Sequence, residues 1–301
     1  MRVLSFGSLN IDYVYKVEHF VNKGETLSSK SLQVFTGGKG LNQSIALAKA
    51  GVEVYHAGMI GEDGKMLLEA LDEAGVHTEY VKVQSKIRTG NAIIQNDLQG
   101  DNCILLYGGA NQQIEEDYIN EVLEQFGSED WLLIQNEINN LPYLVSQAKE
   151  KGMRIILNPS PMNEKIAELP LDKIDYFILN EVEAQQLLEK ELQDDRDGKA
   201  LAEEIKAAFP GAVIVLTQGE KGSVYYDGEE CIRQEIFKVK AVDTTAAGDT
   251  FTGYFIGGVL NGDSPEEAMR AAAKASAIAV TRPGAAPSIP TKEEVESMTI
   301  D

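Results

Sequence analysis

Basic charge is scarce in this sequence: 27 Lys and Arg stand against 48 Asp and Glu in 301 residues, a formal net charge of −21. Nucleic acid and anionic membrane surfaces are bound through clustered cations, so neither is an expected partner. Cysteine is nearly absent. Cys103 and Cys231 are the only two, too few and too far apart for a disulfide framework, and both are expected to be buried structural thiols in a reducing compartment. The three histidines, His19, His56 and His77, are scattered, which leaves no readable His/Cys metal cage and no Ser-His-Asp hydrolase. Long apolar runs are missing as well. Met1 leads into the apolar residues 3–6 without a basic n-region, so the sequence predicts neither export nor membrane insertion, and a cytoplasmic location. The spacing of Gly253 and Gly257 is that of a membrane-helix contact, but the apolar run ending at Leu260 is too short to span, and close packing in a core is expected instead. Asn42-Gln43-Ser44 matches a glycosylation acceptor on paper, yet without a leader it would not meet the machinery.

What is present is a hydrophobic content of 43%, enough for one large core. The chain is organised around Val242-Asp243-Thr244-Thr245-Ala246-Ala247-Gly248-Asp249-Thr250-Phe251-Thr252-Gly253, small residues between an apolar strand-like segment and a helix-like one. Ala246, Ala247 and Gly248 carry little side chain, so a ligand can reach backbone N–H groups at the positive end of the following helix, an anion site. Asp249 would stand beside the anion, a place for a carboxylate that takes a proton. The same residues also describe an ordinary capped strand-to-helix turn. A second stretch is needed to decide.

That stretch is Thr36-Gly37-Gly38-Lys39-Gly40-Leu41-Asn42-Gln43. Its Gly-Lys is followed by Gly rather than Ser or Thr, so it is not a P-loop, and Gln43 stands where a dinucleotide fingerprint would need its third glycine. Leu41, Ile45 and Ala48 recur at helical spacing up to Gly51, placing Lys39 and Asn42 together at a helix start. Earlier, Asn10 and Asp12 alternate after the first strand and so share a face, either as hydroxyl-binding groups or as a polar turn.

Taken together, these two stretches resemble the paired signatures of the ribokinase family of PfkB-type carbohydrate kinases, and the similarity runs from Val3 to Pro290. The resemblance implies an ATP-dependent sugar kinase that acts on a primary hydroxyl, D-ribose giving ribose 5-phosphate, with ATP and a small sugar as partners. By resemblance Asn10, Asp12, Gly38, Lys39, Asn42, Glu137 and Asp249 hold the sugar. Asp249 is the base, and the amides of Ala246, Ala247 and Gly248 stabilise the transferred charge. Asn180, Thr217, Gly219, Gly222 and Gly248 face the nucleotide; Asn180-Glu181-Val182-Glu183 is similar to the family's N-x-x-E motif, in which Glu183 acts on Mg²⁺ through water. Glu220 and Lys221 in the nucleotide loop are expected to be solvated. A kinase for another sugar or nucleoside, or a sugar-binding relative without catalysis, are the alternatives; the intact Asp249 argues against the last.

The rest of the chain alternates strand and helix: 54–59, 66–74, 119–126, 131–135, 141–151, 154–158, 176–180, 200–209 and 212–217. This predicts an α/β fold, a single ribokinase-like domain over 1–301 with a mostly parallel sheet flanked by helices and ligands at the strand C-terminal ends. Residues 13–17 and 32–35 read as exposed-edge strands. Residues 90–95 and 103–107, joined by a turn at 97–102, form a second pair. In the family these make a small β-sheet lid, about 12–36 and 89–108, and its apolar surface predicts a homodimer. Ser264-Pro265-Glu266-Glu267 is a capping box opening a helix that Pro283-Gly284 ends. Asp243 and Thr245 lie just before the anion site, while Arg282, Gly284 and Ser288 flank a Pro-rich turn with free carbonyls. In the family the matching positions, with Ala279, Arg282, Gly284 and Ser288, hold potassium; the alternative is that Asp243 only bonds nearby amides. Ala246 stands where much of the wider family has glycine, so no positive φ is expected there, and Ala273 replaces a larger residue near the adenine.

Overall fold

The structure, a computed structural model, describes residues 1–99, 101–191 and 197–299. In chain order the first elements are β1 (Val3–Phe6), β2 (Asn10–Lys16), β3 (Ser31–Gly37), α1 (Lys39–Lys49), β4 (Val54–Gly61), α2 (Lys65–Glu73) and β5 (His77–Gln84). There follow β6 (Gly90–Asn96), β7 (Asn102–Tyr107), α3 (Glu116–Leu123), β8 (Trp131–Gln135), α4 (Leu141–Glu150), β9 (Arg154–Asn158), β10 (Tyr176–Asn180) and α5 (Glu181–Leu187). The last are α6 (Gly198–Ala208), β11 (Val213–Thr217), β12 (Ser223–Tyr226), β13 (Cys231–Gln234), α7 (Ala247–Asn261), α8 (Pro265–Ala279) and α9 (Lys292–Ser297).

Nine strands form one sheet in the order β13-β12-β11-β10-β9-β8-β1-β4-β5. Its pairings from β11 through β5 are parallel, and β12 and β13 close one edge antiparallel. The central strands are buried along their length, as in β1 (Val-Leu-Ser-Phe) and β8 (Trp-Leu-Leu-Ile-Gln), because helices cover both faces and a continuous apolar run is what such a position demands. Two clusters result. One face packs Leu4, Phe6, Leu132 and Ile134 against α3, α4 and α6; the other packs Val3, Leu133, Ile156 and Ile178 against α1, α7 and α8. The C-termini of the parallel strands β1, β4, β5 and β8 to β11 point to one edge, where polar residues gather.

A separate four-stranded sheet has the order β3-β2-β6-β7. The expected pairs 13–17 with 32–35 and 90–95 with 103–107 are both present, but β2 is an interior strand, bonded antiparallel to β3 and parallel to β6. Gly100, in the expected turn at 97–102, lies outside the described residues, as do residues 192–196, 300 and 301. β7 is an edge strand exposed at every position, and this corrects the expectation for Cys103, which is exposed, whereas Cys231 is partly buried.

Glycine sets how closely α1 and α7 approach. A Cβ on Gly253 would meet that of Ala46 at 2.4 Å, and one on Gly257 that of Ala50 at 2.6 Å, so the pair marks close packing as expected. The capping box of Ser264 and Glu267 opens α8. The strand-like segment expected before Val242 is not a strand. Glu235 to Ala246 runs without a ladder, and the N–H groups of Val242 and Asp243 both donate to the Val280 carbonyl at the end of α8. Its apolar residues face a pocket instead of a sheet. Among the described residues no helix is long and apolar enough to cross a membrane.

Candidate active site

The site lies where the first turns of α1 and α7 meet the C-terminal ends of β9, β10 and β11. Gly38 precedes α1 with φ of 95°, and a Cβ there would stand 2.9 Å from the Ser8 carbonyl oxygen, so conformation and space both require glycine. The turn brings the Lys39 N–H to Glu137 Oε2 at 2.9 Å, and Ser8 Oγ donates to the same oxygen. Glu137 is thereby tied to the start of α1.

Asp249, in the first turn of α7, is buried, and each of its oxygens accepts from an amide: Oδ1 from Gln43 Nε2 at 2.8 Å and Oδ2 from Asn42 Nδ2 at 3.0 Å. The residue that opens the turn is Ala246, with φ of 59°. This overturns the expectation that an alanine here avoids positive φ: the chain must reverse sharply from Val280 into α7, and the left-handed conformation makes that reversal whatever side chain stands there. Gly248 and Asp249, at the helix start, have N–H groups with no acceptor inside the helix, and a Cβ on Gly248 would meet nothing within 4 Å. Ala247 N–H donates to the Thr244 carbonyl at 3.3 Å, so it is partly engaged.

Two pockets share this turn. The first, about 220 Å³, is lined by Lys39, Asn158, Asn180, Glu183, Thr217, Ala246, Ala247, Gly248 and Asp249. The second, about 670 Å³, is lined by Thr217, Gly219, Gly222 and by apolar residues including Ile236, Val239, Phe251, Ala273 and Val280. Thr217, Thr244, Ala247 and Gly248 belong to both. A polar chamber therefore opens into an apolar one across the start of a helix. Glu220 and Lys221, expected in solvent, are exposed, with Glu220 at the rim of the second pocket.

Asn180 caps α5 by accepting from the N–H groups of Val182 and Glu183, and Glu183 returns the bond to Asn180 N at 3.0 Å. Glu183 is buried and lines the first pocket. Asn10, Asp12, Gly38 and Glu137 lie beyond that pocket on the lid side. Asn10 pairs with Gly37 and Asp12 with Phe35 in the small sheet, and the Asp12 carboxylate occupies the space where a Gly37 Cβ would be, at 2.1 Å. Burial, and then the nearby Glu137, push the Asp12 carboxyl up to about 7. Burial pulls Lys39 down, but Asp249, Glu137 and Glu183 together outweigh it and hold its ammonium above the usual value.

Of the other expected cation-site residues, Asp243 Oδ1 accepts from Thr245 N and Oγ1 and its Oδ2 from Gly284 N. Burial raises this carboxyl, and the Thr245 and Gly284 donors more than offset it. The Arg282 guanidinium turns away to Glu294, Ala279 offers its carbonyl to Arg282 N–H, and the buried Ser288 hydroxyl donates to Ala285 O. The sequence did not single out Gln43, Gln135 or Asn111 as site residues. Gln135 is the lone polar residue of a buried apolar strand, and that is the signal that could have found it. Asn111 donates to Asn10 Oδ1 at 2.8 Å from a short turn after β7, a pairing invisible in sequence.

Fold and cleft define a class: an α/β enzyme that seats two ligands side by side, with an anion-binding helix start and a buried carboxylate between them. The chain belongs to the pfkB family of carbohydrate kinases, which its residues 1–292 match. It is 37% identical over 298 residues to the ribokinase of Haemophilus influenzae, covering 96% of this chain and 95% of that protein. Among solved structures, the ribokinase of Thermotoga maritima superposes with a TM-score of 0.87 at 34% identity, covering 99% of this chain and 98% of that one. That of Arabidopsis thaliana, complexed with ribose and ATP, gives 0.86 at 33% identity over 98% and 97%.

The Asp12 carboxyl yields a test by linkage. Folded, it keeps its proton up to about 7, whereas its ordinary value is 3.8. Between those values only the folded state holds the proton, so its contribution to stability falls as pH rises through that window. Asp12→Asn should therefore raise the melting temperature more at pH 8 than at pH 5. Equal gains at both, by calorimetry, would refute the assignment.

Proposed function

We propose that this protein is an ATP-dependent sugar kinase that transfers the γ-phosphoryl group to a primary hydroxyl, turning D-ribose into D-ribose 5-phosphate. The observation that carries the reading is Asp249 itself: a buried carboxylate in the first turn of α7, beside N–H groups open to the polar pocket. Ribokinases at up to 37% identity, one of them solved with ribose and ATP, support the substrate pair.

In this reading the sugar lies under the small sheet, held by Asn10, Asp12, Gly38, Lys39, Asn42 and Glu137, with its reacting hydroxyl at Asp249. The nucleotide base takes the apolar pocket. Its phosphates run past Thr217, Gly219, Gly222 and Asn180 to the start of α7. Asp249 accepts the hydroxyl proton, the oxygen bonds to the γ-phosphorus, and the bond to the β-phosphate oxygen breaks to release ADP. The Ala246 to Gly248 turn and Lys39 stabilise the charge on the transferred group. A Mg²⁺ ion carried by the nucleotide phosphates would be held, by way of water, through Glu183, which is buried and lines the polar pocket. Such an ion would supply positive charge to the phosphates.

A monovalent cation fits beside Asp243, which uses three donors and so keeps acceptor capacity; Arg282 could offer only its carbonyl. The ion, with Thr245, Ala279, Gly284 and Ser288 around it, would hold the anion-binding turn in place. A homodimer through the small sheet also belongs to this reading. Val34, Tyr13, Ile93 and Leu105 form one cross-strand row, and Leu105 is 66% exposed, a surface that a second copy would cover.

Three measurements test these statements. Asp249→Asn should lower kcat at least ~10²-fold with sugar affinity retained, in an ADP-release assay run across pentoses, hexoses and nucleosides; near-normal turnover sinks the base, and a faster hexose or nucleoside sinks ribose. Potassium should raise kcat severalfold over tetramethylammonium at equal ionic strength and Asp243→Ala should remove the difference, so identical rates in both salts count against the cation. Light scattering should give a dimer mass that Leu105→Asp reduces to a monomer; a fully active wild-type monomer disposes of the interface.

A further inference from the structure

The two amides that meet Asp249 are not equivalent. The difference follows from one carbonyl. Asn158 Nδ2 donates to the backbone oxygen of Ile178 at 2.7 Å, and since a carbonyl can only accept, this end of the Asn158 amide is fixed as nitrogen. Its Oδ1 therefore faces Gln43, 3.3 Å away, and must receive an N–H from it. The second N–H on the same Gln43 nitrogen goes to Asp249 Oδ1 at 2.8 Å, and Gln43 Oε1 accepts from Gln135 Nε2 at 2.8 Å. Every hydrogen-bonding direction of the Gln43 amide that these partners use is set by the sheet behind it. Gln43 is 0% exposed, and Gln135 is pressed against Gly7, where a Cβ would come within 2.4 Å of Gln135 Oε1.

Asn42 is placed differently. Its Nδ2 donates to Asp249 Oδ2 at 3.0 Å, but its Oδ1 is buried with no hydrogen-bond partner. A buried acceptor left without a donor is costly, and the polar pocket next to it is where a sugar hydroxyl would arrive. Asn42 can exchange Asp249 for that hydroxyl, gaining a donor for its orphaned oxygen; Gln43 has no such alternative. Lys39, the ammonium on which Asp249 acts together with Glu137 and Glu183, lines the same pocket as Asp249, and the hydrogen bonds to the two Asp249 oxygens come from the two amides.

We propose that Gln43 is a positioning residue for the base: it keeps Asp249 Oδ1 occupied throughout the cycle, so that Oδ2, released by Asn42 when sugar binds, is the oxygen that takes the proton. The proposal rests on Asp249 being the base. In the step, the sugar O–H bond breaks, the proton passes to Oδ2, the alkoxide oxygen bonds to the γ-phosphorus, and the electron pair of the broken P–O bond leaves with ADP. A carboxylate fixed at one oxygen presents the other in one orientation, and orientation of this kind is a large share of the rate in phosphoryl transfer.

Gln43→Met keeps the length and removes the donor. It should lower kcat by ~10–100-fold while the sugar Kd, from calorimetry, stays within about threefold. Normal kcat in the folded variant overturns the proposal, as does a loss that appears only as weaker sugar binding. If Asp249→Asn is inactive while Gln43→Met turns over normally, the positioning role fails and the base stands; if Asp249→Asn remains active, the base itself fails. Should Gln43→Met not fold, a crystal structure of the unaltered protein with ribose and a non-hydrolysable ATP analogue decides. The reacting hydroxyl should lie on Oδ2 with Gln43 Nε2 still on Oδ1, and a hydroxyl seated on Oδ1 overturns the assignment.

Discussion

The contact between α1 and α7 is the constraint on which the site depends. Asn42 meets Asp249, Ala46 meets Gly253, and Ala50 meets Gly257, three contacts four residues apart with the same sequence offset. The helices therefore run side by side in the same direction, and both N-termini open on the same cleft. Each helix start carries partial positive charge from its unpaired N–H groups. A buried carboxylate needs compensating donors, and the parallel pair supplies them from one helix to the other. Two glycines thus serve a carboxylate one to two turns away: by letting the helices touch, they bring Asn42 and Gln43 within reach of Asp249.

Charge on the side of Asp12 and Glu137 follows the same logic with less compensation. Asp249, Glu137 and Glu183 act on a single ammonium, Lys39, and together they raise it above its usual value despite burial. Glu137 has Ser8 and the Lys39 N–H as donors, and Asp249 has its two amides. Asp12 is the carboxyl that burial and Glu137 push up. A polyol suits such an arrangement, since its hydroxyls donate to carboxylates and accept from Lys and amide N–H groups. The second chamber is lined mainly by apolar residues, with Glu220, Glu235 and Lys238 as its charged ones, and the division matches one polyhydroxylated ligand and one flat, partly apolar one.

Much of this was legible in the chain. The parallel sheet declared itself through short apolar runs such as Trp131 to Gln135 alternating with helical periodicity, and the two glycine-bearing stretches announced helix starts built for close approach. What failed did so for definable reasons. Residues before Val242 looked like a strand because they are apolar, yet they are apolar to line a pocket. Cys103 was expected to be buried because lone thiols in a reducing compartment usually are, yet it sits on β7, an edge strand exposed at every position. Gln43 was read only as a missing glycine, and its partner Gln135 lies 92 positions away. Long-range amide networks leave no periodic trace, since each member is one polar residue in an otherwise apolar element.

Ala246 shows how the backbone absorbs the demands of the site. A non-glycine residue in the left-handed region costs about 1–2 kcal/mol, and glycine would remove that cost. The strain is held in place from three directions: Val242 and Asp243 are anchored on the Val280 carbonyl, the Asp243 carboxylate draws in Thr245 and Gly284, and Thr250 N–H donates to the Ala246 carbonyl at 2.8 Å. Alanine brings something in return, because glycine would leave this turn many more conformations when no ligand is bound. In the proposed role, a turn that presents N–H groups to a transferring phosphoryl group gains from being already set, since donors that need no rearrangement stabilise the transition state most. The positive φ of Ala246 is therefore best understood as a conformational restriction placed where the chemistry requires rigidity, with the Asp243 network as the clamp that makes it tolerable.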